Sequence, residues 1–235
     1  MRILIVHAHP EPDSFSGALT RAAEELLPSL GHELQVSDLY AMRWDPVSDR
    51  RNFQLRADPV RYDQQMEERF ASQNDGFSPA LQAEIDKLLR ADTLIFQFPI
   101  WWLGMPAIMK GWIDRVFAVG VAYGGGRWFD RGRMNPRRAM LSLTTGGGGA
   151  PYSPDGIYGP IDPILYPIHH GILGFAGFEV IEPFVVYGPA RMSDEERGAE
   201  IDRYRQRLST LGSAPTLPRT RADDYPNFVR RPVIA

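Results

Sequence analysis

The stretch LSLTTGGGGAPYSPDG, residues Leu141 to Gly156, decides how we interpret the fold. An alternating apolar run ends in two threonines, and four glycines follow before a tyrosine. Glycine permits a positive φ and lets a ligand approach the backbone closely. Because a tight turn needs only one or two glycines, the four glycines here favour a ligand-binding loop at the end of a buried strand.

The rest of the chain repeats this pattern of a short apolar run followed by a helical segment. Strands are predicted at residues 3–6, 33–36, 92–98, 138–144 and 180–186. Helices are predicted from spacing and capping signals at residues 16–30, 78–89, 104–119, 161–176 and 193–211. Residues 40–76 are polar without a clear period, and we expect a surface excursion there. This alternation indicates an α/β fold, a doubly wound five-stranded parallel sheet with helices on both faces.

Composition excludes several classes of protein. The chain has 235 residues, 43% hydrophobic residues, a net charge of −3 and no cysteine. It lacks the basic excess of a nucleic-acid-binding protein, and it has neither a disulfide framework nor a thiolate metal site. No apolar run approaches the roughly 20 residues of a membrane span. We therefore expect a cytoplasmic protein that binds no nucleic acid, inserts into no membrane and holds no metal.

The first candidate loop follows the first strand. In a parallel sheet the ligand lies outside the carboxyl ends of the strands. The loop HPEPDSFSGALT contains neither the GxGxxG nor the GxxxxGK[ST] phosphate motif. Asp13, Ser14 and Ser16 stand at a predicted helix start, where hydroxyls and free N–H groups suit a phosphate. Simple N-capping is the alternative interpretation.

Two further loops lie at the same edge of the sheet. The loop FPIWWLGMP contains Trp101 and Trp102. Exposed indole rings are unfavourable in water unless a flat ligand covers them. We expect one of the two to pack in the core. The apolar stripe from Ile108 to Phe117 is too wide for one contact and predicts that this helix faces both the sheet and a second subunit. In the loop of four glycines at residues 146–149, which we call the glycine loop, backbone N–H groups are placed to face the edge of a flat, electron-rich ring. The Tyr152 hydroxyl is placed to face the same edge.

These loops and their flanks resemble the NAD(P)H:quinone oxidoreductase family, also called DT-diaphorases, of the flavodoxin-like fold. The similar stretches are HAHPEPDSFS, SDLYAM, FQFPIWWLGMPAIMKGWIDRVF, LSLTTGG, YSPDGIYG and GILGFAGFEVIEP. They imply one flavin-binding catalytic domain over residues 1–211, followed by a carboxyl-terminal tail over residues 212–235. The resemblance also implies a homodimer with FAD at the subunit interface, FMN being the less favoured flavin. The implied reaction is a ping-pong, two-electron reduction of quinones by NADH or NADPH.

The resemblance also implies roles for individual residues. The flavin would contact His9, Phe15, Ser16, Ile100, Trp101, Trp102, Leu103, Thr144, Thr145, Gly146, Gly147, Tyr152 and Arg197. The substrate pocket would be lined by Ala122, Tyr123 and Gly124. Gly146, Tyr152 and Tyr158 would act in catalysis, by donating hydrogen bonds to negative charge that develops on the flavin or by lining the pocket near a helix start.

The chain departs from the family's pattern at three positions. Asp63 stands where the family commonly has a glutamine that reaches FAD, and Gly125 stands where it has a second pocket tyrosine. Tyr158 replaces a histidine of the family's best-known member. Because a phenol stays neutral near pH 7, Tyr158 can donate a hydrogen bond but cannot act as a cation there.

Two other classes of function fit a flavin-binding chain. A flavodoxin-type electron carrier is expected to be shorter and more acidic, and it would not need an aromatic pocket. A regulatory or ancillary subunit could bind flavin or nucleotide to control a membrane partner. Turnover of NADH or NADPH by the purified protein alone separates an enzyme from both.

Overall fold

A computed structural model describes residues 1–230 and confirms the predicted α/β class. The strands are β1 (Arg2–His7), β2 (Glu33–Asp38), β3 (Thr93–Pro99), β4 (Arg138–Thr145) and β5 (Glu179–Tyr187). They form a five-stranded sheet in the order β2-β1-β3-β4-β5. All four neighbouring pairs are parallel, so every strand ends at the same edge of the sheet.

Helices cover both faces of this sheet. They are α1 (Phe15–Ser29), α2 (Gln64–Asn74), α3 (Pro79–Arg90), α4 (Ala107–Val116), α5 (Ile161–Ile168) and α6 (Asp194–Ser209). Leu4 and Val6 of β1 belong to the hydrophobic cluster under α3, α4 and α5. Ile3 and Ile5 belong to the cluster under α1 and α6. This division follows from the strand geometry, because successive side chains point to opposite faces.

Helix α2 lies inside the segment that we expected to be a surface excursion. Its N-cap is Asp63, whose carboxylate accepts a hydrogen bond from Met66 N at 3.0 Å. The residues that α2 buries are Glu67, Glu68 and Ala71. Two of these three are acidic, so no apolar period marks the helix in the sequence, and the prediction missed it.

The predicted helix over residues 161–176 is also only partly correct. It runs as an α-helix to Ile168 and continues as a π-helix over His169–Gly174. The change of hydrogen-bond pattern comes just after Pro167, which has no N–H to donate. A prediction from apolar spacing cannot separate these two helix types.

Helix α4 is shorter than predicted, and it uses most of its apolar stripe inside the chain. Met109, Trp112 and Val116 are fully buried. The Trp112 indole donates a hydrogen bond of 2.8 Å to Glu84 of α3. Since these side chains already have partners, the stripe does not by itself indicate a second subunit.

The residues after α6 pack against the sheet. Ala214 is buried, and Leu217 N donates to Val180 O at 2.7 Å. Residues 231–235 of the predicted tail lie outside the described residues. The domain boundary at residue 211 stays a prediction. Within residues 1–230, no helix combines the length and apolar character needed to cross a membrane.

Candidate active site

Three loops meet at the edge where β1, β3 and β4 end. Ile100 N donates to Thr144 O at 2.8 Å, which joins the loop after β3 to the end of β4. The hydroxyls of Ser16 and Thr144 lie 3.3 Å apart, which joins α1 to the same point. The predicted convergence of these loops is therefore observed in the structure.

The start of α1 combines a satisfied cap with free donors. Ser14 is the N-cap and accepts a hydrogen bond from Gly17 N at 3.1 Å, so the N-capping interpretation is confirmed for this residue. Within residues 1–230, the backbone amides of Phe15 and Ser16 have no acceptor. The first turn carries no acidic side chain. Unpaired amides at a helix N-terminus attract anions, so this position suits a phosphate.

A cleft of about 610 Å³ extends from α1 to α6. From the predicted cofactor set it includes His9, Phe15, Ser16, Thr144 and Arg197. It also includes residues that the sequence did not single out, among them Pro189, Ala190 and Ile201. Arg197 lines the cleft, but its guanidinium already donates to Met192 O and pairs with Asp194.

His9 borders this cleft with its ring held in place. Its Nδ1 accepts the N–H of Glu11 at 3.0 Å. The His9 ring centroid lies 6.2 Å from that of Trp101. The loop after β1 therefore lies next to the loop that contains Trp101 and Trp102, which we call the tryptophan loop.

The tryptophan loop is a tight turn with a strained backbone. Trp101 and Gly104 exchange two hydrogen bonds of 3.0 Å. Between them, Trp102 has φ +52° and Leu103 has φ +54°. Large side chains rarely adopt this region, and such strain tends to occur at ligand sites. Both indoles are exposed, Trp102 completely, so the expectation that one packs in the core is wrong.

The glycine loop offers bare backbone beside β4. None of the four glycines from 146 to 149 has a positive φ. A Cβ added at Gly146 or Gly147 would meet no heavy atom within 4 Å. The free space on this side of the loop, and not a turn conformation, is therefore what these glycines provide. Thr145 anchors the loop, since its hydroxyl donates to Gly147 O at 2.6 Å.

Three tyrosines form a cluster behind the glycine loop. The ring centroid of Tyr152 lies 5.2 Å from that of Tyr158 and 5.6 Å from that of Tyr187. Tyr187 ends β5 and was not singled out from the sequence. Burial raises the pKa of Tyr152, with smaller contributions from the other two tyrosines, so its hydroxyl remains a donor at neutral pH. Tyr158 is exposed and lies in the turn before α5, not at its start.

The predicted substrate residues lie in a different cavity. Ala122 and Tyr123 line a space of about 230 Å³, together with Gln64, Glu68 and Phe175. Gly124 follows with φ +116°. This cavity and the cleft between α1 and α6 share no lining residue. Within one chain, the structure does not bring the predicted substrate residues into the cleft between α1 and α6.

Asp63 lines neither of these cavities. Asp63 caps α2, so its carboxylate has a structural partner where the family's glutamine is expected to contact FAD. Across residues 1–230, no group of three or more His, Cys, Asp or Glu side chains is arranged to hold a metal ion.

Comparison with known proteins agrees with this geometry. A family described by its flavodoxin-like fold matches residues 1–210. NAD(P)H dehydrogenase (quinone) 1 of Cavia porcellus is 41% identical over 211 residues, which cover 89% of this chain and 77% of that protein. Ribosyldihydronicotinamide dehydrogenase (quinone) of Homo sapiens is 36% identical over 220 residues, which cover 93% and 95%.

Solved structures are similar over nearly the whole chain. A Klebsiella pneumoniae protein with the provisional name quinone reductase superposes with a TM-score of 0.93 at 43% identity, covering 99% of this chain and 94% of that one. The NAD(P)H:quinone oxidoreductase of Methanothermobacter marburgensis gives a TM-score of 0.67 at 26% identity, covering 92% and 98%. The chain therefore belongs to the NAD(P)H:quinone oxidoreductase family of the flavodoxin-like fold, and it is an oxidoreductase.

Proposed function

We propose that the protein binds FAD and catalyses the two-electron reduction of quinones by NADH or NADPH in a ping-pong reaction. The convergence of three loops at one edge of the sheet carries this proposal. The free amides at the start of α1 fit a phosphate. The exposed indoles after β3 fit a flat ring, and the open backbone at Gly146 and Gly147 fits the polar edge of such a ring. These features match a flavin better than a purely structural loop cluster.

The length of the cleft favours FAD over FMN. A phosphate at the Phe15 and Ser16 amides would occupy only the α1 end. Beyond it the cleft continues to Pro189, Arg197 and Ile201. This continuation leaves room for a second phosphate and an adenosine.

The bound flavin supplies the hydride chemistry of the reaction. The chain's own contribution is to orient the rings and to place donors where negative charge develops. The N–H groups of Gly146 and Gly147 and the hydroxyl of Tyr152 are the donors that we assign to this task. Trp101 and Leu103 would hold the flat ring system against the sheet edge, and Tyr123 would contact the quinone.

The separation of the two cavities supports a homodimer. If the cavity with Ala122 and Tyr123 belongs to the active site, a second copy must bring it to the flavin cleft. Large apolar side chains are exposed near the flavin loops, among them Trp102, Leu103 and Ile157. An exposed apolar patch of this kind marks an interaction surface.

The enzyme assignment predicts turnover by the purified protein alone. With menadione as acceptor, it should oxidise NADH or NADPH and contain one FAD for each chain. The measurement combines steady-state absorbance with chromatography of the cofactor released by heat. Stoichiometric FMN would refute the choice of flavin. A flavin-loaded protein that shows no turnover would favour an electron carrier or a regulatory subunit.

The composite site predicts that activity requires the dimer. Light scattering of the flavin-loaded protein should give twice the mass of one chain. Dilution until the dimer dissociates should abolish turnover. An active, flavin-loaded monomer would contradict the composite site.

The tyrosine cluster predicts different effects of two conservative substitutions. Tyr152→Phe removes a hydroxyl that we place at the flavin edge, so hydride transfer from NAD(P)H should slow. A well-placed donor contributes roughly 10²- to 10³-fold. Because backbone amides share this task, we expect a loss on the order of tenfold.

Tyr158→Phe serves as the matched comparison. It should slow the hydride step less and change quinone affinity more, since Tyr158 is exposed in the turn before α5. Stopped-flow absorbance of each half-reaction separates these effects. Unchanged rates in both variants would mean that the two rings only pack.

A further inference from the structure

Helix α2 contributes a buried acid to the cavity that contains Tyr123. Only 3% of Glu68 is exposed, and its side chain lines the cavity of about 230 Å³ with Ala122 and Tyr123. Burial raises the pKa of this carboxyl, and the nearby Asp114 adds to the effect. Within residues 1–230, Glu68 forms no salt bridge with a lysine or arginine. Burying an acidic side chain without a charged partner costs folding free energy, so specific hydrogen bonds must compensate for its burial.

The two oxygens of Glu68 accept hydrogen bonds from different elements. Oε2 accepts the backbone N–H of Val119 at 2.7 Å. Oε1 accepts from the Gln64 amide at 2.8 Å, and the same amide nitrogen donates to Ser48 Oγ at 3.0 Å. A carboxylate can accept from both donors at once. It therefore ties α2 to the segment that follows α4.

That segment is a compact turn. The N–H groups of Val121 and Ala122 both donate to Ala118 O, at 3.0 and 3.1 Å. Gly120 N donates to Tyr123 O at 2.8 Å. These bonds fix the turn internally. Its middle is also joined to the rest of the chain, because Arg133 Nε donates to Val121 O at 3.1 Å and the side chains of Ala118 and Ala122 are buried in the core. The Glu68 bond fixes the start of the turn at Val119.

Helix α2 holds this turn at a second point. Gly120 has φ +88°, and a Cβ on it would lie 2.2 Å from Ser72 Oγ. No side chain fits there, because α2 packs directly against the backbone of the turn. The Glu68 contact at Val119 and the Ser72 contact at Gly120 are adjacent along the turn and one helical turn apart on α2.

We propose that Glu68 is a positioning residue for the quinone pocket, acting through Val119 to hold the segment from Ala118 to Gly124. The assignment of this cavity to the quinone rests on the proposed function above. The hydrogen bond itself does not. Loss of the carboxyl releases the Val119 end of the turn, so Tyr123 is held less firmly and the acceptor binds less well.

The test compares three variants. Glu68→Ala removes the acceptor for Val119. Glu68→Gln can still offer one oxygen to Val119 while the Gln64 amide rotates to meet its NH₂ group. Glu67→Ala is the matched control, because Glu67 is equally buried on α2 but caps Ala57 N and Asp58 N at 2.8 and 3.2 Å, away from this cavity.

Hydrogen exchange gives the readout that is independent of activity. In Glu68→Ala the Val119 amide should exchange at least tenfold faster than in the parent protein, while Glu68→Gln keeps most of its protection. Glu67→Ala should leave the exchange rate of the Val119 amide unchanged, although this variant too lowers thermal stability. Equal protection of Val119 in Glu68→Ala and the parent protein would overturn the proposal, whether or not the protein reduces quinones.

Steady-state kinetics gives the functional readout. Glu68→Ala should raise KM for menadione roughly tenfold, which corresponds to about 1.4 kcal/mol of acceptor binding lost as Tyr123 is held less firmly, with kcat reduced less. Glu68→Gln should restore most of the affinity, and Glu67→Ala should have the parent KM. Faster exchange at Val119 without a change in KM would overturn the role in the quinone pocket. A loss of bound flavin in Glu68→Ala would overturn it in favour of cofactor binding.

Discussion

The hydrogen bond from Ile100 N to Thr144 O determines how the site is assembled. It extends the pairing of β3 with β4 beyond the last residue of β3, so the tryptophan loop and the glycine loop leave the sheet side by side. The contact between Ser16 and Thr144 brings α1 to the same place. Because all strands are parallel, no other edge of the sheet collects these loops. The proposed flavin site is thus a consequence of strand order and register before any side chain contributes to it.

The glycine loop shows which physical constraint accounts for its sequence. Positive φ does not explain residues 146–149, since none of them has it. At Gly146 and Gly147 there is instead open space where a side chain would stand. A positive φ occurs instead at Gly188, whose Cβ would lie 3.0 Å from the backbone of Gly147. The loop after β5 therefore supports the glycine loop from behind, and together they leave one side free for a flat ligand.

The sequence predicted the strands well because each is a short apolar run with a clear end. For the same reason it predicted that the loops after these strands converge, since the loops follow directly from where the strands end. The roles of the individual loop residues stay predictions. It could not predict α2, whose buried face consists largely of Glu67 and Glu68 and so lacks an apolar period. It missed Tyr187 because that residue completes a strand and joins Tyr152 only in three dimensions. Most of the apolar stripe on α4 lies inside the chain, and spacing alone does not show that Trp112 contacts Glu84. A second subunit on this helix stays a prediction.

The missed helix α2 concerns the proposed quinone half of the site. The proposed flavin cleft is formed by loops whose residues lie close to strand ends, whereas the cavity of Tyr123 depends on α2 packing against a turn far along the chain. Long-range packing of polar residues carries little signal in a single sequence. The sequence therefore supports the proposed flavin edge of the sheet best. It supports least the way in which the proposed quinone pocket is held.

Anaerobic titration of the flavin-loaded protein tests the central claim most directly. NADH or NADPH is added to one equivalent, the oxidised nucleotide is removed, and one equivalent of menadione follows. The account predicts complete loss of the visible flavin absorbance in the first step and its complete return in the second. Absorbance that NAD(P)H does not remove, or that menadione does not restore, would contradict quinone reduction through a bound flavin.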